Sequence, residues 1–484
     1  MVVYTDKITS MGKGTFFSRN IFLKPFFIFA LSLLVYLFYF LGVNPGYYSR
    51  DVLRRLHDFT YLNNLFGDFY YILPEEISVS FFYNIYILIF YLVTENLVAL
   101  GLFQIVLFSV INTYCWIVLS KFSKAKIAWI VTLLMIFSPL NGIMPMWYHR
   151  SSLFAPLVCL NLMLLYKFSK VRRFKRLERV VFLINLLFVA FLRIDGIIIS
   201  LASLSIYILK ARYQKRIKVG IFAGFILTLT IYTLTPVLYS HPRPYIKLPL
   251  VHQIRRIHQS IGSEFSDKDL EVLKPIARSE SDRKLWLETK EYLDNSVFND
   301  CYDVPQKQLN DFIQWSCLFV SKNFFHFIKT QTQVFFASSL LGSPLAHYFH
   351  TNDMHKNKEY YIEIRKKNDI GDRPYIEFPG NIVRFILESS HCNFLESPKA
   401  FFVACIFGTS IPFVFIFVYF VIAFKRNRNV LIPLIPLLLY SIFMFLCQPK
   451  PKGWYWYWLA YSYYFIVFGL GYKIISEKKQ RTRQ

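Results

Sequence analysis

The chain has 484 residues, of which 55% are hydrophobic and 19% aromatic, and its formal net charge at pH 7 is +25. So large an apolar fraction exceeds what one soluble core of this length buries, which excludes a simple soluble protein and indicates that lipid covers the excess. The positive charge would suggest nucleic acid if it lay on one soluble face, but it is confined to short flanks of apolar runs, which excludes that class as well.

Six short segments carry nearly all of the net charge. They contain 26 of the 55 Lys and Arg residues and only three acidic residues, so they hold +23 of the +25. Because short loops rich in Lys and Arg stay in the cytoplasm, we predict that these segments, and with them both termini, are cytoplasmic. The segments are 1–21, 121–126, 167–179, 210–218, 425–428 and 473–484.

Between the basic segments lie apolar stretches of about 17–25 residues, the length that a helix needs to cross about 30 Å of hydrocarbon. They predict an all-α polytopic membrane protein with about ten transmembrane helices, of bacterial inner-membrane type. The clearest stretches are 22–43, 97–120, 127–146, 150–168, 217–239, 399–424, 429–447 and 454–475, and two shorter ones are 180–192 and 196–210.

The stretch 79–95 decides the number of crossings. A complete crossing there would place the basic segment 121–126 outside, so we predict a re-entrant or interfacial segment. The alternative is an eleven-helix protein with one anomalous loop.

Two polar regions fall on the predicted outer side. The first outer loop, 44–96, opens with a Pro-Gly turn, and the helical spacing of its apolar residues after Asp51 predicts a surface helix. The second region, 240–398, is long enough for a small α-rich extracytoplasmic domain and separates an N-terminal transmembrane module, 1–239, from a C-terminal one, 399–484.

Two segments of this outer domain have a recognisable pattern. A helix is predicted at 281–296. The aromatic segment 312–341 is interrupted by Lys322, His326 and Lys329, so we predict that it lies on the membrane interface and does not cross.

The predicted outer face collects charges at the ends of spanning helices, where they break the positive-inside trend and indicate a polar cavity. Arg and Lys neutralise phosphate oxygens, and a carboxylate beside them accepts a proton from a hydroxyl. Such a cavity suits a substrate with an anionic head and a hydrocarbon tail. The candidate residues are Asp51, Arg54, Arg55, His149, Arg150, Arg193, Asp195, His252, Arg255, Arg256, Lys450, Lys452 and Trp454.

Each group of candidates also has a purely structural explanation. Asp51 at helical spacing from Arg54 and Arg55 forms a solvated ion pair. Arg193 and Asp195 form a pair that satisfies each other. The other groups suit contacts with lipid headgroups: His149 and Arg150 follow a Trp-Tyr pair, Lys450 and Lys452 precede Trp454, and 252–258 reads as a basic amphipathic helix.

Four stretches resemble the polytopic C-type glycosyltransferase superfamily of membrane enzymes. They are NPGYYSRD at 44–51, FLRIDG at 191–196, PLVHQIRRIHQ at 249–259 and WYWYWLAYSYYF at 454–465. The resemblance implies a polyprenyl-phosphate sugar donor and a cell-envelope glycan or lipid-linked acceptor on the outer face. It implies Asp51 as the general base of an inverting transfer. Asp51 stands between Arg50 and Val52 where better-known branches pair two acidic residues, so the resemblance leaves metal dependence open and implies no other cofactor.

Three other functions fit parts of the pattern. An O-antigen or capsule polymerase also has many helices and a large outer loop rich in Arg, a lipid-linked oligosaccharide flippase or other transporter also handles such lipids, and a scaffold protein needs no polar cavity. The sequence has no Walker loop, dinucleotide fingerprint or HExxH motif, so nucleotide-driven transport and zinc proteolysis have no support.

Overall fold

The computed structural model describes residues 17–43, 47–48, 52, 81–94, 98–171, 174–210, 215–239, 247–262, 265–277, 279–288, 304–339, 410–426, 429–447, 456–472 and 474. Within these residues the chain is almost entirely helical, as the sequence predicts. The helices of the first module are α1 (Phe17–Val43), α2 (Phe81–Thr94), α3 (Val98–Phe122), α4 (Ala125–Phe137), α5 (Pro139–Ile143), α6 (Arg150–Val171), α7 (Arg176–Leu192), α8 (Gly196–Lys210) and α9 (Lys215–Tyr239).

The second half of the chain continues the helical pattern. Its helices are α10 (Lys247–Ile261), α11 (Asp267–Leu273), α12 (Glu280–Glu288), α13 (Gln306–Lys322), α14 (Phe324–Ser339), α15 (Ser410–Arg426), α16 (Leu431–Cys447) and α17 (Tyr457–Tyr464), the last followed by a π-helical turn at Phe465–Leu470. Two very short strands, β1 (Tyr47–Tyr48) and β2 (Trp147–Tyr148), pair in parallel.

Helix α6 is the centre of the bundle. It packs against α3, α7, α16 and α17. Of its most apolar 18-residue stretch, 89% is buried, against 33% for the corresponding stretch of α1. The large apolar side chains that remain exposed lie on the surrounding helices, for example Phe26 on α1 and Phe222 on α9. A helix that is apolar all round is buried, whereas one with an apolar outer face needs a nonaqueous neighbour.

Among the described residues, three helices are long and apolar enough to cross a membrane: Leu23–Gly42 within α1, Val98–Phe122 and Arg150–Val171. A bent pair, Ala125–Phe137 with Leu140–Met146, makes a fourth if it is one span. The shorter apolar helices are Phe82–Thr94, Gly196–Lys210, Lys218–Ile231, Ile411–Lys425 and Leu431–Cys447. The stretch 79–95 is therefore helical over Phe81–Thr94.

The prediction of one continuous helix over 127–146 is wrong. The chain bends by 57° between α4 and the short helix that follows it. The cause is Pro139, which stands at the first position of α5: the residue before a proline is pushed into an extended conformation, and Ser138 has φ −63° and ψ 117°.

Two segments of the predicted outer domain are helical in the structure. The helix predicted at 281–296 appears as Glu280–Glu288, and the aromatic segment 312–341 forms α13 and α14, which meet at Asn323. A separate small core of Val251, Ile254, Leu273, Ile276, Val304, Leu309 and Phe312 holds α10, α11 and α13 together. Of the surface helix predicted in the first outer loop, only Val52 is among the described residues, and it is buried.

A buried amide ties the bundle together at its centre. Asn112 of α3 donates through Nδ2 to Ser32 Oγ at 2.9 Å and to Tyr36 Oη at 2.7 Å, both on α1. Its Oδ1 accepts from Tyr461 Oη at 3.0 Å, on α17. Polar side chains that bond across helices hold apolar bundles in one register, because the alternative is an unsatisfied polar group in an apolar medium.

The hairpin between α7 and α8 closes on a glycine that has no room for a side chain. A Cβ at Gly196 would lie 2.2 Å from the carbonyl oxygen of Val189 and 2.9 Å from Phe154 Cε2. A backbone oxygen cannot move aside as a flexible side chain does. Glycine at this position is therefore what allows the two helices to approach so closely.

We expect Gly196→Ala to destabilise the protein by about 1–3 kcal/mol, because the added methyl group forces α8 away from α7. The matched control is Gly220→Ala on α9, where a Cβ would meet nothing within 4 Å. That change should be neutral or stabilising by up to about 1 kcal/mol, since alanine favours helix. Thermal unfolding in detergent measures both, and equal shifts would contradict the packing argument.

Candidate functional site

The turn between α7 and α8 holds a buried ion pair. Arg193 donates from Nε to Asp195 Oδ1 at 2.9 Å and from Nη2 to Asp195 Oδ2 at 2.7 Å, which is a bidentate arrangement. Arg193 is only 7% exposed. Bidentate pairs fix orientation as well as charge, so the turn has one geometry.

Two further helices contribute to this pair. Arg193 Nη1 donates to Ser151 Oγ at 2.8 Å, in the first turn of α6, and its guanidinium carbon lies 5.4 Å from the centre of the Phe154 ring. Tyr440 of α16 donates from its hydroxyl to Asp195 Oδ2 at 3.1 Å. The pair therefore joins the α7–α8 turn to the central helix and to α16.

The pKa of Asp195 lies below its usual range. Burial alone would raise it, but the charge of Arg193 and its hydrogen bonds, the Tyr440 hydroxyl and the more distant charge of Arg150 together outweigh the burial. Asp195 is consequently a carboxylate at neutral pH. Its negative charge balances one of the two nearby guanidinium groups.

The second guanidinium, Arg150, is differently situated. Its Nε and Nη1 are buried and have no hydrogen-bond partner among the described residues. Arg150 is the first residue of α6, whose N-terminus carries the positive end of the helix dipole. A buried donor without a partner costs free energy, and a bound anion would remove that cost.

His149 shapes the start of α6. Its Nδ1 accepts from the Ser151 backbone N–H at 3.1 Å, and its carbonyl accepts from the Ser152 N–H at 2.9 Å. The ring thereby caps the helix in the way that Ser or Asp usually does. His149 fixes the backbone from which Arg150 and Ser151 project.

Just upstream, the β1–β2 ladder brings a distant part of the chain to this point. Tyr47 pairs with Trp147 and Tyr48 with Tyr148, so the chain shortly after α1 runs parallel to the residues that lead into α6. Asp51 follows Tyr48 by three residues. It lies outside the described residues, as do Arg54, Arg55, Lys450, Lys452 and Trp454.

The remaining candidates form a second basic group, on α10. His252 and Arg255 are 1% and 5% exposed, and Arg256 donates from Nη2 to Gln331 Oε1 at 3.4 Å. Burial and then the neighbouring charge of Arg255 lower the pKa of Arg256 to about 9. Several cations buried so close together favour an anionic neighbour.

Helix α16 connects the two basic groups. The Leu446 carbonyl near its C-terminus accepts from Gln253 Nε2 at 2.7 Å and from Gln331 Nε2 at 2.8 Å, so α10 and α14 both hold this end of the helix. Tyr440 precedes Leu446 by six residues, which is about 9 Å along the helix axis. The α10 group and the Arg193–Asp195 pair thus lie against neighbouring turns of α16.

The structure therefore brings together His149, Arg150, Arg193 and Asp195, all of which the sequence nominates, and adds Ser151 and Tyr440, which it does not. One feature of the sequence could have indicated Tyr440: it is the only tyrosine in the apolar stretch 429–447. Ser151 had no such feature beyond its place after His149 and Arg150.

Comparison with known proteins gives no relative for this arrangement. The chain matches no protein-family model, no curated protein and no solved structure.

We expect Asp195→Asn to destabilise the protein by about 3–5 kcal/mol, because it leaves the buried Arg193 charge uncompensated. The matched control is Glu178→Gln, which breaks the more exposed Lys167–Glu178 pair and should cost less than about 1 kcal/mol. Unfolding midpoints in detergent measure both. Similar losses from the two variants would mean that the Arg193–Asp195 pair is no more than a surface contact.

The low pKa of Asp195 also predicts a pH dependence. A lowered folded-state pKa contributes stability that is fully present above the unfolded-state value, about 3.9, and disappears as the pH falls through the folded-state value. The stability difference between the wild type and Asp195→Asn should therefore be constant from pH 7 to about pH 5 and shrink at lower pH.

Tyr440→Phe provides the test of the cause. It removes a hydrogen bond that favours the carboxylate, so the folded-state pKa of Asp195 rises towards the unfolded-state value. The loss of stability still begins near the unfolded-state value, but it should be smaller and complete at a higher pH than in the wild type. Unfolding midpoints between pH 3 and 7 measure the shift. Identical profiles would show that the Tyr440 hydroxyl does not act on Asp195.

Proposed function

We propose that this protein is a polytopic inner-membrane glycosyltransferase that moves a sugar from a polyprenyl-phosphate donor to a cell-envelope glycan or lipid-linked acceptor. Its membrane part has about ten crossings, with both termini in the cytoplasm and residues 240–398 outside. The spanning-length helices support this architecture, together with the shorter apolar helices that pack beside them.

The basic ends of three helices support the proposed orientation. Lys121 lies in the last turn of α3, Lys170 in the last turn of α6 and Lys210 in the last turn of α8. The Arg193–Asp195 turn and Arg150 lie at the opposite ends of α8 and α6. By the positive-inside rule, the candidate site then faces the extracytoplasmic side, where lipid-linked sugars are presented.

The observation that carries the proposal is the contrast between Arg193 and Arg150. All three side-chain nitrogens of Arg193 already donate to protein oxygens. Two buried nitrogens of Arg150, in contrast, have no hydrogen-bond partner in the part of the chain that the structure describes. Arg150 is the group that holds the donor phosphate in this scheme. Arg193 and Asp195 keep the surrounding helices in place, and the net positive charge that remains favours an anion.

The general base comes from the first outer loop. Asp51 is three residues beyond Tyr48 and Arg150 two residues beyond Tyr148, on chain segments that run in parallel. Three residues of extended chain span at most about 10 Å. Chain connectivity thus allows Asp51 to reach an acceptor beside a phosphate on Arg150.

In the proposed reaction, the oxygen of an acceptor hydroxyl attacks the anomeric carbon of the sugar, and Asp51 accepts the proton of that hydroxyl. The bond from that carbon to the phosphate oxygen breaks, and polyprenyl phosphate leaves with the electron pair, so the configuration inverts. Arg150 neutralises the charge that develops on the leaving phosphate. His252, Arg255 and Arg256 take an anionic part of the acceptor, and Lys450, Lys452 and Trp454 complete the outer rim.

The test is transfer of radiolabelled hexose from polyprenyl phosphate to membrane acceptor glycans by the purified protein. Asp51→Asn should lower kcat by about 10²–10⁴, the usual contribution of a general base. Arg150→Gln should lower kcat/KM for the donor by roughly 10–100-fold, as expected for a lost hydrogen bond to a charged group. Arg150→Lys should fall between, because it keeps the charge and loses the planar fork.

Lys124→Gln, at an exposed position between α3 and α4, serves as the control and should leave transfer unchanged. Full activity of Asp51→Asn would exclude Asp51 as the base. If the wild type transfers no sugar but takes up or flips the lipid-linked sugar, the protein is a transporter and the proposed transferase activity is wrong.

A further inference from the structure

The turn between α13 and α14 exposes two aromatic rings. Phe324 is 52% exposed and Phe325 86%, and Leu318, one turn from the end of α13, is also exposed. Large apolar groups clustered at one tip are unusual on a surface that faces water. We name residues 318–329 the aromatic tip.

The core of the outer domain lies on another face of these helices. Leu309 and Phe312 of α13 point into that core with Val251 and Ile254 of α10. Phe325 is instead on the exposed stripe of α14, with Lys329 one turn further on. Leu318, Phe324 and Phe325 are therefore left outside the packing that holds the domain together, whereas Phe319 packs against its core.

The charges within the tip are positive. Lys322 and Lys329 are exposed, and the 28 residues from Phe312 to Ser339 contain no Asp or Glu. Asp269 of α11 lies close enough to Lys322 for the charge of that lysine to help lower the pKa of the carboxyl. Exposed aromatic side chains with lysines in the same segment are the composition of helices that lie in the headgroup region of anionic membranes.

The far end of α14 is fixed to the helix bundle. The Phe335 ring centre lies 4.4 Å from that of Phe413, 5.0 Å from that of Trp456 and 6.0 Å from that of Phe445. Ten residues separate Phe335 from Phe325, which is about 15 Å along the helix. The junction of α13 and α14 therefore stays within reach of the surface of the bundle.

We propose that the aromatic tip inserts into the outer leaflet of the membrane. Phe324, Phe325 and Leu318 enter the boundary between headgroups and acyl chains, while Lys322 and Lys329 contact lipid phosphates. The tip is thus a second attachment of the outer domain to the membrane, separate from the packing of α14 on the bundle. It does not depend on the proposed reaction.

A nitroxide spin label at Phe325→Cys tests this, with the seven native cysteines replaced and the full chain in nanodiscs of phosphatidylglycerol. Oxygen concentrates in lipid and a nickel chelate in water, so power saturation distinguishes the two surroundings. The label at position 325 should collide more with oxygen than with nickel. Lys307→Cys, exposed near the start of α13 and about 22 Å from Lys322 along the axis, should show the reverse.

Two outcomes would overturn the proposal. If the label at 325 is as accessible to nickel as the label at 307, the tip lies in water, and if it is shielded from both reagents, the tip is covered by protein.

The role of the lysines has its own test. Lys322→Gln with Lys329→Gln, or discs of neutral phosphatidylcholine, should lower the oxygen-to-nickel collision ratio at 325. An unchanged ratio would overturn the contact with lipid phosphates.

Discussion

The buried pair of Arg193 and Asp195 is the interaction on which the arrangement of the site depends. Neither charge tolerates this position alone, because desolvation of a single buried ion costs several kcal/mol. Together they close the α7–α8 turn, bind Ser151 of α6 and accept the Tyr440 hydroxyl of α16. Gly196 makes this possible by letting α8 begin directly against the Val189 carbonyl. One polar contact thus sets the relative positions of three apolar helices that could otherwise slide.

Helix α16 extends this constraint to α10 and α14. At one level Tyr440 binds Asp195, and about 9 Å further along the axis the Leu446 carbonyl receives both Gln253 and Gln331. The C-terminal carbonyls of a helix need donors, and here α10 and α14 supply them. The basic group on α10 and the Arg193–Asp195 pair are thus both held against the same helix.

Much of the fold follows from sequence, because apolar length and flanking charge are local signals. The stretches 22–43, 97–120, 150–168, 180–192 and 196–210 all appear as helices. The prediction failed at 127–146, where a single Pro139 outweighs a continuous apolar pattern. Pairing of Arg193 with Asp195 was readable because both are charged and adjacent to apolar runs. The contacts of Tyr440 and Asn112 could not be predicted, since their partners lie on other helices, in part hundreds of residues away along the chain. The spacing of apolar and charged residues carries no information about such contacts.

Arg150 and Arg193 also show why two arginines in one site have different consequences. Arg193 is satisfied at each nitrogen, so its removal affects folding first. Two buried donors of Arg150 have no hydrogen-bond partner within the described ranges of the chain, and such donors make the folded state less stable than it would be with an anion bound. An anion that binds only the folded chain at 100 times its Kd adds about 2.7 kcal/mol of stability. If stabilisation by a ligand phosphate is lost when Arg150 is replaced and remains when the basic residues of α10 are replaced, the anion binds at the start of α6. That conclusion holds whatever reaction follows.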